Sequence, residues 1–320
     1  MRGTRLLTAV VCSINVLALL SATIAHASAT AEPADRVTQG PCHATAISRL
    51  QRLAEEKMGH LMWPHRLADV ADAQRPPPLQ YGYRLVRRYP HDPGAFTQGL
   101  VFLGDRLFES TGMWGASSLR EVDLHSGEVM RQVDLDDQLF AEGLAVWHQR
   151  LVQLTWRSGI AFIYDTEKLQ RIAEFSYAGE GWGAAAVEDN LVISDGTAVL
   201  TWIEPQNNSV VATLPVREGG KMVYGLNELE SVEGKLLANV WPSDCIAEID
   251  AATGQVTAWI DLSGLYPRKS RPHATAVMNG IAYDSARKRL LVTGKYWPYV
   301  YQIERTAVQS EQQAAPPGDQ

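Results

Sequence analysis

Glu142 lies in Phe140-Ala141-Glu142-Gly143-Leu144, a carboxylate within an otherwise apolar and aromatic stretch. Such a group is a satisfied structural carboxylate, an ion ligand, or an acid–base group whose pKa desolvation lifts toward the range where proton transfer is efficient. Phe96, Trp156, Trp182 and Trp241 add aromatic surface, while Gln98, Asn227 and Lys295 add hydrogen-bonding groups. A single aromatic residue in a strand is more often core than ligand wall. Five of them converging with a carboxyl group and three polar side chains would instead form a cage able to hold a flexible polar substrate while a proton moves.

Spacing makes that convergence plausible. The phrase His91-Asp92-Pro93-Gly94-Ala95-Phe96-Thr97-Gln98-Gly99-Leu100 ends in Gln-Gly-Leu, which returns as Glu142-Gly143-Leu144, Gly181-Trp182-Gly183, Asn227-Glu228-Leu229 and Asn279-Gly280-Ile281. Gln98, Glu142, Trp182, Asn227 and Asn279 follow one another at 44, 40, 45 and 52 residues. That period suits four-stranded propeller blades, and five units predict one all-β domain, a five-bladed β-propeller. The first strand of each blade runs along the central channel, so the motif heads should meet at one channel mouth.

The second unit carries the strand pattern best, with strands expected over Glu142–Trp147, Leu151–Trp156, Ile160–Tyr164 and Arg171–Phe175. Asp123-Leu124-His125-Ser126-Gly127 and Asp250-Ala251-Ala252-Thr253-Gly254 read as turns. Tyr83–Tyr89 is a strand left over before the first repeat, placed to complete the last blade beside Val300–Glu304 and remove an open edge. Ahead of it, residues 44–73 carry a helical apolar pattern that Pro76-Pro77-Pro78 ends. The expected organisation is a signal peptide over 1–27, a partly helical N-terminal extension over 28–80, the propeller over 81–305 and a disordered tail over 306–320.

The signal peptide is read from Arg2 and Arg5, an apolar run from Leu6 to Leu20, and Ala25-His26-Ala27 as the cleavage site. The mature protein is then secreted or periplasmic, cleaved near Ala27, with no membrane association afterwards. Cys42 and Cys245 remain after cleavage. An oxidising compartment would permit them to pair, and a buried free thiol at Cys245 is the other reading; spacing does not choose between them.

The chain has 320 residues, 46% hydrophobic and 20% charged, with a net charge of −7. Its length allows a large core, and its charge gives no reason to expect nucleic acid or an anionic membrane as partner. There is no His-Glu-x-x-His, no Gly-x-Ser-x-Gly and no phosphate loop, and the eight histidines are dispersed. A catalytic zinc site is not expected, and a structural ion in the channel is left open. A monomer is expected.

His91–Leu100, Glu109-Ser110-Thr111-Gly112 with Ser117-Ser118-Leu119-Arg120, Gln153-Leu154-Thr155-Trp156, Gly181-Trp182-Gly183, Leu226-Asn227-Glu228-Leu229-Glu230, Ala238-Asn239-Val240-Trp241 and Val292-Thr293-Gly294-Lys295-Tyr296-Trp297-Pro298 stand in order along the chain. This series resembles the plant-type glutaminyl cyclases, a family of glutaminyl-peptide cyclotransferases with a five-bladed propeller that also occurs in bacteria. The resemblance runs from about Tyr83 to Glu304. It implies conversion of the N-terminal glutamine of peptides or proteins to pyroglutamate with release of ammonia, without a cofactor. It also implies Glu142 as general acid–base group, with Phe96, Gln98, Phe140, Trp156, Trp182, Asn227, Trp241 and Lys295 around the substrate. Met113-Trp114 departs from the family's usual aliphatic-plus-tyrosine pair, and the extension from Cys42 to Pro78 lies outside the shared region.

Two other function classes fit the residues alone: a secreted propeller that binds peptides or small ligands without turnover, and a metal-dependent lactonase or lyase with Glu142 and Asn227 as ion ligands. A metal enzyme would want more carboxylates at the motif heads, where Gln98 and Trp182 occupy two of the five places.

Overall fold

The protein is described by a computed structural model that covers residues 42–58 and 76–308. The expected signal peptide lies outside the described residues, as does the end of the expected tail. The helical pattern of 44–73 is seen as α1 (Ala44–Met58), and its remainder also falls outside them. From residue 79 to 308 the chain is built chiefly from strands.

β1 (Leu79–Pro90) comes first and is followed by a four-stranded antiparallel sheet of β2 (Thr97–Leu103), β3 (Arg106–Thr111), β4 (Ser118–Val122) and β5 (Val129–Asp134). A second such sheet holds β6 (Ala141–Trp147), β7 (Arg150–Thr155), β8 (Ile160–Tyr164) and β9 (Arg171–Ser176). A third holds β10 (Gly183–Val187), β11 (Asn190–Ser194), β12 (Val199–Glu204) and β13 (Ser209–Pro215), after which β14 (Arg217–Glu218) and β15 (Lys221–Met222) form a small hairpin. Next come β16 (Leu226–Val232), β17 (Lys235–Val240), β18 (Cys245–Asp250) and β19 (Val256–Asp261), then β20 (Met278–Asp284), β21 (Arg289–Gly294) and β22 (Tyr299–Ala307). These last seven join β1 in one eight-stranded sheet, ordered β16-β17-β18-β19-β1-β22-β21-β20.

β1 is the seam of that sheet. It pairs antiparallel with β22, Tyr83 facing Arg305 and Tyr89 facing Val300, and its start pairs parallel with β19, Leu79 facing Ala258. The strand expected beside Val300–Glu304 is therefore present, and it also ties down a second neighbour. Its sheet begins at Leu79 and ends at Ala307, slightly outside the expected 81–305 span on both sides. The turns expected after β4 and β18 form as read: the Asp123 carboxylate accepts the His125 and Ser126 amides, and Gly127 closes onto the Asp123 carbonyl at 2.8 Å.

In each of the first three units the fourth strand is more exposed than the first, whereas β19 in the next stays largely buried. β6 is almost wholly buried whereas β9 and β5 are largely exposed, so the inner ends of the units hold the protected backbone. Apolar clusters span neighbouring units: Val101, Phe108 and Leu119 of the first pack on Leu144, Leu151 and Phe162 of the second. On its other side the second unit packs Val152, Leu154 and Ile163 against Leu191, Ile193 and Ile203 of the third. The first strands touch in order, β2 to β6, β6 to β10, β10 to β16, β16 to β20 and β20 back to β2.

The repeated motif explains how they come so close. A Cβ on Gly99 would lie 2.5 Å from the Leu144 amide nitrogen, one on Gly143 2.6 Å from that of Ala184, and one on Gly183 2.0 Å from the Asn227 carbonyl oxygen. In the Asn227-Glu228-Leu229 motif, where no glycine stands, the Glu228 carboxylate instead bridges strands, accepting the Ile281 amide at 2.9 Å and that of Leu100 at 3.3 Å. Pairing with the second strand slips at four motif heads, between Thr97 and Gly99, Ala141 and Leu144, Leu226 and Leu229, and Met278 and Ile281. Such irregularities re-aim side chains out of the ladder. Trp182 differs, standing just ahead of β10 with its amide on the Ser194 carbonyl at 2.8 Å.

Gly183→Ala is expected to be destabilising, by about 1–3 kcal/mol as in overpacked cores or more because backbone meets backbone. A urea titration of the variant would measure it. An unchanged midpoint would mean that β10 and β16 can separate freely.

Candidate active site

Glu142 is held from the neighbouring sheet. The Ser110 hydroxyl donates to the Glu142 carbonyl at 2.5 Å, Gln153 Nε2 donates to that hydroxyl at 2.9 Å, and the Ser117 hydroxyl oxygen accepts the Ala141 amide at 3.0 Å. The phrase around His91 is fixed in the same manner. His91 donates from Nδ1 to the Trp297 carbonyl at 2.6 Å and from Nε2 to Glu109 at 2.9 Å, and Thr97 adds a bond to the same Glu109 oxygen at 2.7 Å. Burial opposes a charged imidazole there, but the Glu109 carboxylate outweighs it and the His91 pKa is raised. Two donating ring nitrogens and two accepting oxygens describe an imidazolium–carboxylate pair.

Ring contacts join Phe96 to Phe140 (6.0 Å between centroids), Phe140 to Trp156 (5.6 Å) and Phe96 to Tyr296 (5.2 Å). Trp114, half exposed at the rim, packs edge-on against Phe140 at 5.5 Å and tilts toward Trp156 at 6.4 Å. Glu180 continues the wall: one of its carboxylate oxygens accepts from Trp156 Nε1 at 2.7 Å and from Trp182 Nε1 at 2.9 Å, the other from Arg157 at 3.0 Å. The Arg157 guanidinium also covers the Trp156 ring at 3.9 Å. Trp182 rests on Gly196, where a Cβ would lie 2.7 Å from the indole.

The Glu142 carboxyl is buried, and among the described residues no side chain hydrogen-bonds to it. Burial raises its pKa well above the usual carboxylate value; the Lys295 charge opposes this, and the Glu180 charge adds to it. Lys295 is buried as well, with Nζ 4.4 Å from the centre of the Phe96 ring. Burial lowers its pKa from 10.5 to about 8 despite attraction from Glu142. That lowering corresponds to roughly 3 kcal/mol against the cation, more than the ~0.5–2 kcal/mol a cation–π contact supplies, so desolvation wins. The turn that carries Lys295 is rigid: its amide bonds the Val277 carbonyl at 2.9 Å, and Tyr296, at φ 61°, bonds the Ala95 carbonyl at 2.7 Å.

Gln98, Asn227 and Trp241 are the remaining expected residues. Gln98 is buried with Oε1 accepting from Asn279 Nδ2 at 3.1 Å. Asn227 is buried, and among the described residues its Oδ1 has no hydrogen-bond partner. Trp241 packs on Ala198, Met222 and Tyr224, and its amide bonds the carbonyl of Gly225, two residues before Asn227, at 2.8 Å. Sequence reasoning missed Glu180, Tyr296 and Trp114 as parts of the wall. Glu180 directly precedes Gly181-Trp182-Gly183, and that adjacency was the available signal. Among the described residues, no group of three or more His, Cys, Asp or Glu side chains is placed to hold a metal ion.

A family model described as glutamine cyclotransferase matches residues 61–305. The chain belongs to the glutamine cyclotransferase family. Glutaminyl-peptide cyclotransferase of Arabidopsis thaliana is 45% identical over 224 residues, which cover 69% of this chain and 70% of that protein. The crystal structure of Myxococcus xanthus glutaminyl cyclase superposes with a TM-score of 0.69 at 38% identity, over 72% of this chain and 100% of that one. The segment matched to the glutamine cyclotransferase family holds every site residue named above and stops short of α1.

Removing the Lys295 charge takes away the influence that lowers the Glu142 pKa, so Lys295→Gln is expected to move ionisation of Glu142 to higher pH. The acid limb of kcat/KM measures it in an enzyme that needs the carboxylate. An unmoved limb would mean that the two groups are not coupled.

Proposed function

We propose that this chain converts the N-terminal glutamine of peptides to pyroglutamate, with Glu142 carrying the proton. The observation behind the assignment is a buried carboxyl group with a raised pKa and no side-chain hydrogen bond among the described residues, beside an aromatic wall in a glutaminyl-peptide cyclotransferase relative. The neutral α-amine attacks the side-chain amide carbon, forming the ring C–N bond, and the amine proton passes to Glu142. Glu142 then protonates the departing nitrogen as the old C–N bond breaks, and ammonia leaves. One carboxyl group thus serves as base and then acid, so its raised pKa suits it to both transfers near neutral pH.

In this reading the Asn227 and Gln98 amides orient the substrate carboxamide or the oxygen that gains charge during attack, and Asn227 Oδ1 is free to accept from an NH2 group. Phe96, Phe140, Trp156, Trp182 and Trp241 hold the glutamine chain bent toward its own amine, the near-attack geometry that ring closure needs. Lys295 holds the charge balance of Glu142. No cofactor is needed by these steps. The five sets of strands are read as the blades of one closed propeller, supported by the cyclic contacts of their first strands and the β1 seam. A Cys42–Cys245 disulfide together with the N-terminal signal pattern supports export to an oxidising compartment.

Glu142→Gln should lower turnover on a Gln-initiated peptide at least about a hundredfold, the usual scale for losing a general acid–base group. It should not lower the melting temperature at pH 8, because it removes a buried carboxyl that costs stability when ionised. Near-normal release of ammonia by the folded variant would move the proton-transfer role elsewhere. Turnover of N-terminal glutamine should also far exceed that of N-terminal glutamate, whose anionic side chain resists burial and whose leaving group is hydroxide. Comparable rates on the two peptides would contradict the aromatic cage.

A further inference from the structure

α1 lies outside the family-matched segment, yet it is hydrogen-bonded to Tyr224 and Trp241, within that segment. One face of the helix is buried through Ala44, Ile47 and Gln51, and Cys42 just before it forms a disulfide with Cys245 at the start of β18. Its first turn is tied to the β14–β15 hairpin: the Ala44 amide bonds the Glu218 carboxylate, and Lys221 bonds the Thr45 hydroxyl at 2.7 Å.

Gln51 is fully buried, and its side-chain nitrogen spends both hydrogens on the protein. Nε2 donates to the Tyr224 carbonyl at 2.7 Å and to the Trp241 carbonyl at 3.0 Å. Gly225 makes this reach possible, since a Cβ there would lie 2.5 Å from Gln51 Nε2 and 2.4 Å from the Trp241 oxygen. Gly225 also has φ 79°, a conformation costly for other residues. From this point the backbone bonds run directly into the pocket. The Gly225 carbonyl accepts the Trp241 amide at 2.8 Å, and the Gly225 amide bonds Gly196, on which Trp182 rests, at 2.7 Å.

We propose that Gln51 is a positioning residue for substrate binding: anchored by the Cys42–Cys245 disulfide, it locks the Tyr224–Asn227 turn to the Trp241 loop from outside the family-matched segment. The proposal rests on Trp241 lining the glutamine pocket. Gln51 touches no substrate and takes no part in proton transfer. Its loss therefore acts on how well the pocket is formed before binding.

The test is steady-state kinetics of the full mature chain on a Gln-initiated peptide, well below the melting temperature. Gln51→Met keeps the side-chain length and removes both donors. It is expected to raise KM at least about fivefold with kcat within about twofold, the split that marks lost binding rather than lost chemistry. Reducing the disulfide in the otherwise unaltered protein should move KM the same way, and this arm stands even if Gln51→Met does not fold. A lower melting temperature with KM unchanged in both arms overturns the proposal, leaving α1 a purely structural brace. Trp241→Ala separates the two levels of argument. If it raises KM while the Gln51 and disulfide arms do not, only the clamp is wrong; if it changes neither KM nor kcat, the pocket assignment has failed.

Discussion

The approach of the first strands to one another is the constraint from which the site follows. Where Gly99, Gly143 and Gly183 face the next strand there is no room for a Cβ, and a side chain at any of these positions would drive neighbouring backbones apart. The residue before the glycine is then the one that can turn out of the ladder at the strand's end, and pairing slips there at Gln98 and Glu142. Tight inner packing therefore sets the side chains before the glycines at the same end of neighbouring first strands. Glu228 shows how strict the requirement is: where glycine is missing, its carboxyl takes over backbone amides from two neighbouring strands.

The same crowding makes the site costly. Glu142 keeps its proton in the folded chain at pH values where an unfolded chain would release it, so its contribution to stability falls as pH rises above the ordinary carboxylate pKa. Lys295 runs the other way. Its folded pKa near 8 lies below 10.5, so burial opposes folding while the amine is charged, and the penalty is relieved as pH rises from about 8 toward 10.5. A fold selected for stability alone would bury neither group. The stability comes from elsewhere, from apolar faces shared between neighbouring sheets and from the β1 seam across the largest sheet.

Much of the strand order was legible because its signals are local. In the second unit, the alternation and turn residues between Glu142 and Phe175 place each strand to within about a residue of β6–β9. The leftover strand beside Val300 was legible because an odd strand needs a partner, but its parallel pairing with β19 was not, since no sequence pattern marks a parallel edge. The Cys42–Cys245 link was equally undecided, because nothing local tells a cysteine in a strand what lies opposite. Among the site residues, Phe96, Phe140 and Trp156 do meet, whereas the place of Trp241 beside Tyr224 depends on how two loops pack. Glu180 was missed for the same reason: its importance lies in two indole nitrogens that arrive from different parts of the chain.

Glu180 also joins two properties that are usually separate. Its carboxylate holds the Trp156 and Trp182 indoles, and its negative charge helps keep Glu142 protonated. Arg157 binds the other Glu180 oxygen and lies over Trp156, so the tryptophan that forms the wall also carries the cation that partly neutralises Glu180. Displacing Trp156 or Trp182 would loosen the Glu180 carboxylate and change the field at Glu142. A substitution in this wall is therefore not a purely steric change. Shape and acidity are set by one hydrogen-bonded group, and substrate fit and proton transfer must respond together when it is disturbed.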